Sequence, residues 1–218
     1  MHVEPGGALI LQDGRAVVLE GIRLPEDDDG APSALAARAR AVLGDLARQP
    51  VRFVFADPTM DRYGRLRAQV FAGAAWLQVA LLEQGLARVA IAPDGGGCAS
   101  QLYAAEARAR WGRAGLWNIA AYRPRDPWHM TGTAGTFQIV EGRVGNVGNG
   151  GGRWFLDFGK DGQRAFSVVI APENRRAFRG FDLDGLAGKR IRIRGVVQDY
   201  RGRTEIALAN PAQIEILD

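Results

Sequence analysis

The sequence has very few of the residues on which most metal-binding, disulfide-bonded and nucleophilic sites depend. It contains one cysteine, Cys98, and two histidines, His2 and His129, among 218 residues. A single cysteine excludes an intramolecular disulfide and a cysteine-based zinc site. The scarcity of histidine also disfavours a histidine-rich metal site and a Ser-His-Asp triad. We therefore interpret Cys98 as a small, partly buried thiol.

Long apolar runs and lysines are scarce as well. No stretch of about 18 apolar residues is present, so no membrane partner is expected. Only Lys160 and Lys189 are lysines, and arginine supplies nearly all of the positive charge. The net charge of +4 and the pI near 9.7 favour an anionic partner such as nucleic acid, whose phosphates suit the planar guanidinium group.

The first residues, "MHVEPGG", do not have the pattern of a signal peptide. An exported protein whose leader had been removed would begin in the same way. Export to the periplasm and retention in the cell are therefore both left open, and the oligomeric state is equally undetermined by the sequence.

The hydrophobic pattern divides the chain into two domains. Residues 1–119 mix strand-like runs with three helical stretches, and residues 120–135 form a linker rich in proline and glycine. Residues 136–218 are almost entirely strand-like and predict a small antiparallel barrel of the OB type. The fold class predicted for the whole chain is mainly β with helices (α+β).

Caps and turns place the helices of the first domain. The first helix is expected to begin at Pro32-Ser33 and to stop before Pro50. The second is expected to end at Gly85 in a left-handed conformation, and Ser100 is expected to cap the third.

Four ordered motifs carry a family resemblance. They are "VVLEGIRLPE", "DRYGRLRAQVF", "LLEQGLARVA" and "AAEARARWGRAGLW". From about Ala8 to Trp117, the chain resembles the staphylococcal nuclease-like (thermonuclease) family. The resemblance implies a five-stranded OB-type barrel with three helices, and it implies cleavage of DNA or RNA in which calcium assists.

The resemblance also implies a set of catalytic positions. In the family, two aspartates and a threonine carbonyl hold the calcium ion, two arginines neutralise the phosphate, and a glutamate acts on the attacking water. The glutamate falls on Glu26 and the second arginine on Arg65, so these two residues are predicted to be catalytic if the protein is active.

The remaining family positions are not kept. One aspartate falls on Arg23 and the first arginine on Val18. The threonine falls on Leu24, whose backbone carbonyl can still serve as a ligand, so this change matters less. The other aspartate falls near Gly6, where Glu4 is the only nearby carboxylate. Removal of one charge-stabilising group typically costs a factor of about 100 to 1,000 in rate. The sequence therefore predicts a degenerate active site with no cofactor.

The acidic loop that follows offers the weak alternative of a rebuilt metal site. Asp27, Asp28 and Asp29 lie directly after Glu26, and alternate carboxylates of a loop can reach one calcium ion. The competing interpretation is a solvated loop before the first helix. On the first interpretation the protein is a calcium-dependent phosphodiesterase.

The second domain supplies the candidate nucleic-acid surface. From His129 onward there are 13 basic and 10 acidic residues. In "GKRIRIRGVV", a period of two places three arginines on one face of a strand, and further basic and aromatic residues flank the next turn. Such a surface holds single-stranded nucleic acid. The candidates are Arg190, Arg192, Arg194, Tyr200, Arg201 and Arg203.

Two alternatives apply to this second domain. The arginines are equally well explained as a sheet face that is paired with acidic residues on neighbouring strands. Trp154 and Phe158 of "RWFLDFG" are interpreted as core residues of the barrel.

Three functions follow from the sequence. The first is a nuclease-family protein that binds single-stranded DNA or RNA without efficient cleavage. The second is the metal-dependent endonuclease with a rebuilt site. The third is an interaction scaffold in which the two barrels bind a protein partner.

Overall fold

The computed structural model of the chain comprises two compact units, Met1–Ala121 and Tyr122–Asp218. The α+β fold class predicted from the sequence is confirmed. Four ranges are described here: 1–25, 32–159, 166–200 and 202–218. Glu26, the three aspartates at 27–29 and Arg201 thus lie outside the described residues.

The first unit contains a curled sheet and three helices. The elements are β1 (His2–Val3), β2 (Leu9–Ile10), β3 (Ala16–Leu19), β4 (Ile22–Arg23), α1 (Ser33–Leu46), β5 (Val51–Met60), β6 (Leu66–Ala72), β7 (Ala75–Trp76), α2 (Leu77–Glu83), β8 (Arg88–Val89) and α3 (Ala99–Trp111). The sheet has the order β1-β2-β3-β6-β5, with β7 paired to β6, while β4 and β8 form a separate antiparallel pair. The pair β3–β6 is parallel.

The helices of this unit follow their sequence signals with one exception. Helix α1 buries Ala36, Ala39 and Leu43, which lie on one face at a spacing of three and four residues. Gly85 has a φ of +64°, the left-handed conformation that ends α2. The prediction for Ser100 is wrong, because Cys98 occupies the N-cap and the Ser100 hydroxyl donates to the side chain of Gln101.

The second unit is a barrel with one parallel strand pair. The strands are β9 (Phe137–Arg143), β10 (Asn146–Gly150), β11 (Arg153–Phe158), β12 (Phe166–Ile170), β13 (Arg190–Tyr200), β14 (Arg203–Leu208) and β15 (Ile214–Ile216). Their order is β10-β11-β12-β14-β13-β15, and β9 also pairs with β13. Only two residues separate β9 from β10, so the strand that pairs with β13 continues into the strand that pairs with β11. The expectation of a purely antiparallel barrel is wrong for β12–β14, which are parallel.

Alternating apolar residues fill the interior of this barrel. Leu156 and Phe158 of β11 and Ile191 and Ile193 of β13 are all fully buried. Trp154 is partly buried and packs against the same core. The interpretation as a core residue is confirmed for Phe158, whereas Trp154 is only partly buried.

The stretch that precedes β9 belongs to the second unit in the structure. Within it, the backbone N–H of Arg125 donates to Ile139 O at 2.8 Å, and Glu141 N–H donates to Arg125 O at 2.9 Å. Residues 122–135 therefore add a bridged segment beside β9. Among the described residues, no helix is long and apolar enough to cross a membrane.

Candidate functional site

One face of the strand pair β3–β6 carries two arginines, Arg65 and Arg67. The parallel register places Val18 beside Arg67 and Val17 beside Leu66. Since alternate residues of a strand point to the same face, Arg65 and Arg67 lie on the face of Val18, and Val17 and Leu66 point into the core. The family's first arginine position, Val18, thus has an arginine beside it on the next strand.

Arg65 is held by the turn that precedes β6. Asp61 accepts hydrogen bonds from the Arg65 backbone N–H at 3.0 Å and from Arg65 Nε at 2.8 Å. The guanidinium carbon lies 5.3 Å from the centroid of the Tyr63 ring, and 43% of the Arg65 side chain is exposed. Arg65 is therefore held in a fixed orientation and is accessible to solvent, but its charge is partly neutralised by Asp61.

The Asp61 carboxylate is stabilised in its ionised form by this turn. Partial burial raises the pKa of the Asp61 carboxyl, but hydrogen bonds from Arg65 and from the Tyr63 backbone N–H outweigh that effect and leave the pKa below its usual value. The Asp61–Arg65 ion pair consequently persists at neutral pH.

Arg67 is buried and bound on two sides by carboxylates. Its Nε and Nη2 donate to the two oxygens of Glu20 at 2.8 and 2.9 Å, and its Nη1 lies 2.7 Å from Asp94 Oδ1. Only 4% of the Arg67 side chain is exposed. The hydrogen bond to Glu20 and the two negative charges raise the pKa of the guanidinium above its ordinary value. Arg67 is thus already neutralised within the protein.

A glycine loop packs directly on this charged cluster. A Cβ atom on Gly95 would lie 2.3 Å from Glu20 Oε1, so any larger residue would displace this carboxylate from Arg67. A cavity of about 310 Å³ opens beside the cluster, and Glu20, Gln69, Asp94 and Cys98 line it. Cys98 is a free, partly exposed thiol, as the sequence predicts.

The positions that correspond to the family's metal ligands hold no carboxylate cluster. Leu24 is buried, and a Cβ atom on Gly7 would lie 2.0 Å from Leu24 Cδ1. The Leu24 side chain therefore fills the space beside Gly7. Arg23 lies in β4 opposite Arg88, and Glu4 is exposed. Within the four described ranges, no group of three or more histidine, cysteine or acidic side chains is placed to hold a metal ion.

Comparison with known proteins agrees with this geometry. Residues 16–119 match the family model described as staphylococcal nuclease homologue.

The first unit is a staphylococcal nuclease-like domain.

No curated protein matches the chain. A nuclease-like domain supports a nuclease-like or nucleic-acid-binding protein. Members of this family typically depend on calcium. Of the sequence-predicted catalytic pair, Arg65 lies on the charged face of β3–β6, and Glu26 falls outside the described residues.

The arginines of β13 are arranged differently from the prediction. Arg192 lies between two glutamates that are its direct neighbours on the flanking strands, Glu141 on β9 and Glu215 on β15. Its guanidinium contacts Glu141 Oε2 at 2.7 Å and Glu215 Oε1 at 2.8 Å. Arg194 Nη2 donates to Glu215 Oε2 at 3.0 Å.

Burial excludes Arg192 and Arg194 from an open binding surface. The exposed fractions of their side chains are 9% and 0%. The prediction that they contact nucleic acid is therefore wrong, and the alternative of a face paired with acidic residues is correct. Arg190 is exposed, but it forms an ion pair with Glu141.

The other end of β13 does present an accessible basic and aromatic surface. Tyr200 is 42% exposed and lies directly opposite Arg203, which is also exposed. The Arg153 guanidinium lies 5.3 Å from the centroid of the Tyr200 ring. Burial raises the pKa of the neighbouring Glu205 carboxyl above its usual value, although the charge of Arg153 acts in the opposite direction. Arg153, which lies on β11, is not among the sequence-predicted nucleic-acid-binding residues.

The charged cluster of the first unit was also missed. Its signal in the sequence is Arg67, the one charged residue in the mostly apolar run of β6. A charge at a buried strand position requires a partner. The partners, Glu20 and Asp94, come from other segments of the chain.

Proposed function

We propose that this protein binds single-stranded nucleic acid and hydrolyses phosphodiesters poorly or not at all. The observation that carries the proposal is Arg23, a cation that lies in β4 opposite Arg88, at the position where the family has a metal-ligating aspartate. Calcium requires six to eight oxygen ligands. An arginine a few ångströms from a divalent cation adds repulsion of several kcal/mol, at an effective dielectric constant of about 20.

The arginines near the expected phosphate site point to the same conclusion. Val18 carries no charge, and the adjacent Arg67 is occupied by Glu20 and Asp94. One accessible arginine, Arg65, remains on the described part of this face. A single arginine supports phosphate contact, whereas charge neutralisation in the transition state needs several groups.

The binding surface that we propose comprises Arg153, Tyr200 and Arg203 of the second unit, and Arg201 of the same turn remains a sequence-based candidate. The Arg153 guanidinium lies beside the exposed Tyr200 ring, and Arg203 is the direct neighbour of Tyr200 on the next strand. This arrangement suits a phosphate backbone with a base stacked on the aromatic side chain. The net charge of +4 assists the approach of an anionic strand.

Replacement of both arginines is expected to weaken this binding. In Arg153→Ala/Arg203→Ala, the dissociation constant for a labelled single-stranded decamer should rise by about tenfold or more. The slope of log K against log salt should become shallower by about 1.4, since each phosphate contact on a single strand contributes about 0.7. Fluorescence anisotropy at four salt concentrations measures both quantities.

The matched control is Arg38→Ala/Arg48→Ala, which removes the same charge from the exposed side of the first unit. It should leave the slope unchanged. If the native protein binds neither DNA nor RNA at low salt, the proposal fails and the protein-binding scaffold is favoured. If both double variants weaken binding equally, the assigned surface is incorrect.

A further inference from the structure

The second unit contains an open pocket whose lining is unusually rich in arginine and aromatic residues. Its volume is about 600 Å³, and all of its walls come from β11, β12 and the segment between β12 and β13. Neither the nuclease-like domain nor the surface around Tyr200 takes part in it. The lining includes three arginines and three aromatic residues: Trp154, Arg175, Arg176, Phe178, Arg179 and Phe181.

Local sequence fixes the orientation of this lining. A 3-10 helix over Pro172–Asn174 continues into tight turns, in which Phe178 N–H donates to Arg175 O and Arg179 N–H to Arg176 O. Residues three apart lie above one another in such turns. Phe178 is buried in the barrel core, and this anchor leaves the neighbouring arginines exposed.

Among the described residues, Arg175, Arg176 and Arg179 form no ion pair, although two aspartates line the same pocket. By contrast, the arginines of β13 are bound by carboxylates. Three arginines that converge on one cavity form a positive site for a doubly charged anion, and the guanidinium fork matches phosphate geometry.

Two carboxylates, Asp182 and Asp184, line the same pocket, and one of them accepts a hydrogen bond from the protein backbone. Asp182 Oδ1 accepts a hydrogen bond from the Gly185 backbone N–H at 2.9 Å, so this carboxylate is turned toward its own loop. Asp184 is exposed at the rim. The lining therefore has one more positive than negative charge, and its carboxylates can accept hydrogen bonds from ligand hydroxyl or amino groups.

The apolar part of the lining is aromatic. Phe178 and Phe181 pack edge to face, with ring centroids 6.1 Å apart, and Trp154 lines the same cavity. A pocket of this size lies within the range of small-molecule sites, which combine apolar walls with a few polar groups. A planar ring that carries a phosphate satisfies both parts of the lining.

We infer that this pocket binds a nucleoside phosphate, with the phosphate on Arg175, Arg176 and Arg179 and the base against Trp154 and Phe181. The inference goes beyond the proposed function, because a free nucleotide satisfies it as well as the end of a strand does. The two sources share one chemistry, and competition between them separates them.

Isothermal titration with three ligands tests the pocket directly. Adenosine 5′-monophosphate should bind, while adenosine and inorganic phosphate should each bind at least about tenfold more weakly, because each makes only one half of the contacts. In Arg176→Ala/Arg179→Ala, the dissociation constant for the monophosphate should rise by about tenfold or more. Both arginines are exposed, so the variant should unfold at the same urea concentration as the native protein.

The control Arg38→Ala/Arg48→Ala should bind the monophosphate with unchanged affinity. The inference is overturned if the native protein shows no binding of the monophosphate at about millimolar concentration, or if both double variants bind it equally. It is also overturned if inorganic phosphate binds as tightly as the nucleotide, since the aromatic wall would then have no role.

A single-stranded decamer added to the monophosphate complex identifies the source. Displacement of the monophosphate assigns the pocket to a nucleotide of a strand, and simultaneous binding assigns it to a free nucleotide. Monophosphate binding in a protein that does not bind the decamer would refute the proposed function and leave this inference intact. Decamer binding without monophosphate binding would do the opposite.

Discussion

Replacement of Arg67 by alanine is expected to lower the free energy of unfolding of the first unit by about 3–5 kcal/mol. The variant removes a guanidinium group that is 4% exposed and leaves Glu20, whose side chain is 10% exposed, without this cation. A carboxylate that loses its cation inside a protein retains the full desolvation penalty of its charge. Urea unfolding followed by circular dichroism measures the loss.

A second variant separates the ion pair from the packing around it. In Arg67→Met/Glu20→Leu, both charges are replaced by apolar groups of similar length, so most of the lost stability should return. The exposed pair Arg15–Asp13 serves as a control, because Arg15→Ala should leave the midpoint of urea unfolding almost unchanged. A loss of under about 1 kcal/mol in Arg67→Ala would contradict the structural role of Arg67.

Replacement of Glu215 by alanine is expected to destabilise the second unit by about 3 kcal/mol. Glu215 accepts from Arg192 and from Arg194, and the Arg194 side chain is completely buried. Without this carboxylate, the charge of Arg194 stays buried with less compensation. The midpoint of urea unfolding should fall without a change in the slope of the transition.

The control for this variant is Glu173→Ala, which changes an exposed glutamate of the same unit and should alter stability by no more than about 0.5 kcal/mol. If Glu215→Ala retained full stability and changed nucleic-acid affinity instead, Arg192 and Arg194 would belong to a binding surface after all.

Local patterns were sufficient to predict much of the fold. The alternation in β11 predicted that Leu156 and Phe158 point inward, and glycine at position 85 predicted the end of α2. These features depend on residues that are near in the sequence. The four motifs predicted the nuclease-like domain because their order reflects the order of its elements.

The pairing of charges could not be predicted in the same way. Arg67 and Glu20 are 47 positions apart, and Arg192 and Glu141 are 51 apart. A period of two in β13 correctly grouped Arg192 with Arg194, but it does not show which residues of β9 and β15 face them. The same alternating arginine pattern occurs in strands whose arginines are exposed to solvent and in strands whose arginines are paired with glutamates, so the pattern does not distinguish the two.

Departures from the family's catalytic residues are visible at single positions of the sequence and do not need a repeating pattern. Arg23 and Leu24 were recognised as departures from the family because the motif fixes their place relative to Pro25 and Glu26. The packing of Leu24 on Gly7 required the structure, since these residues come from different segments. The alternative that uses the aspartates at 27–29 stays a prediction, as they lie outside the described ranges.

Metal-dependent cleavage tests the central claim most directly. Labelled single-stranded DNA and RNA are incubated with the native protein and with Glu26→Ala, in calcium, in magnesium and in chelator. We expect binding without metal-dependent cleavage, and no difference between the two proteins. Cleavage that requires a divalent ion and disappears in Glu26→Ala would contradict the account and establish a rebuilt nuclease site.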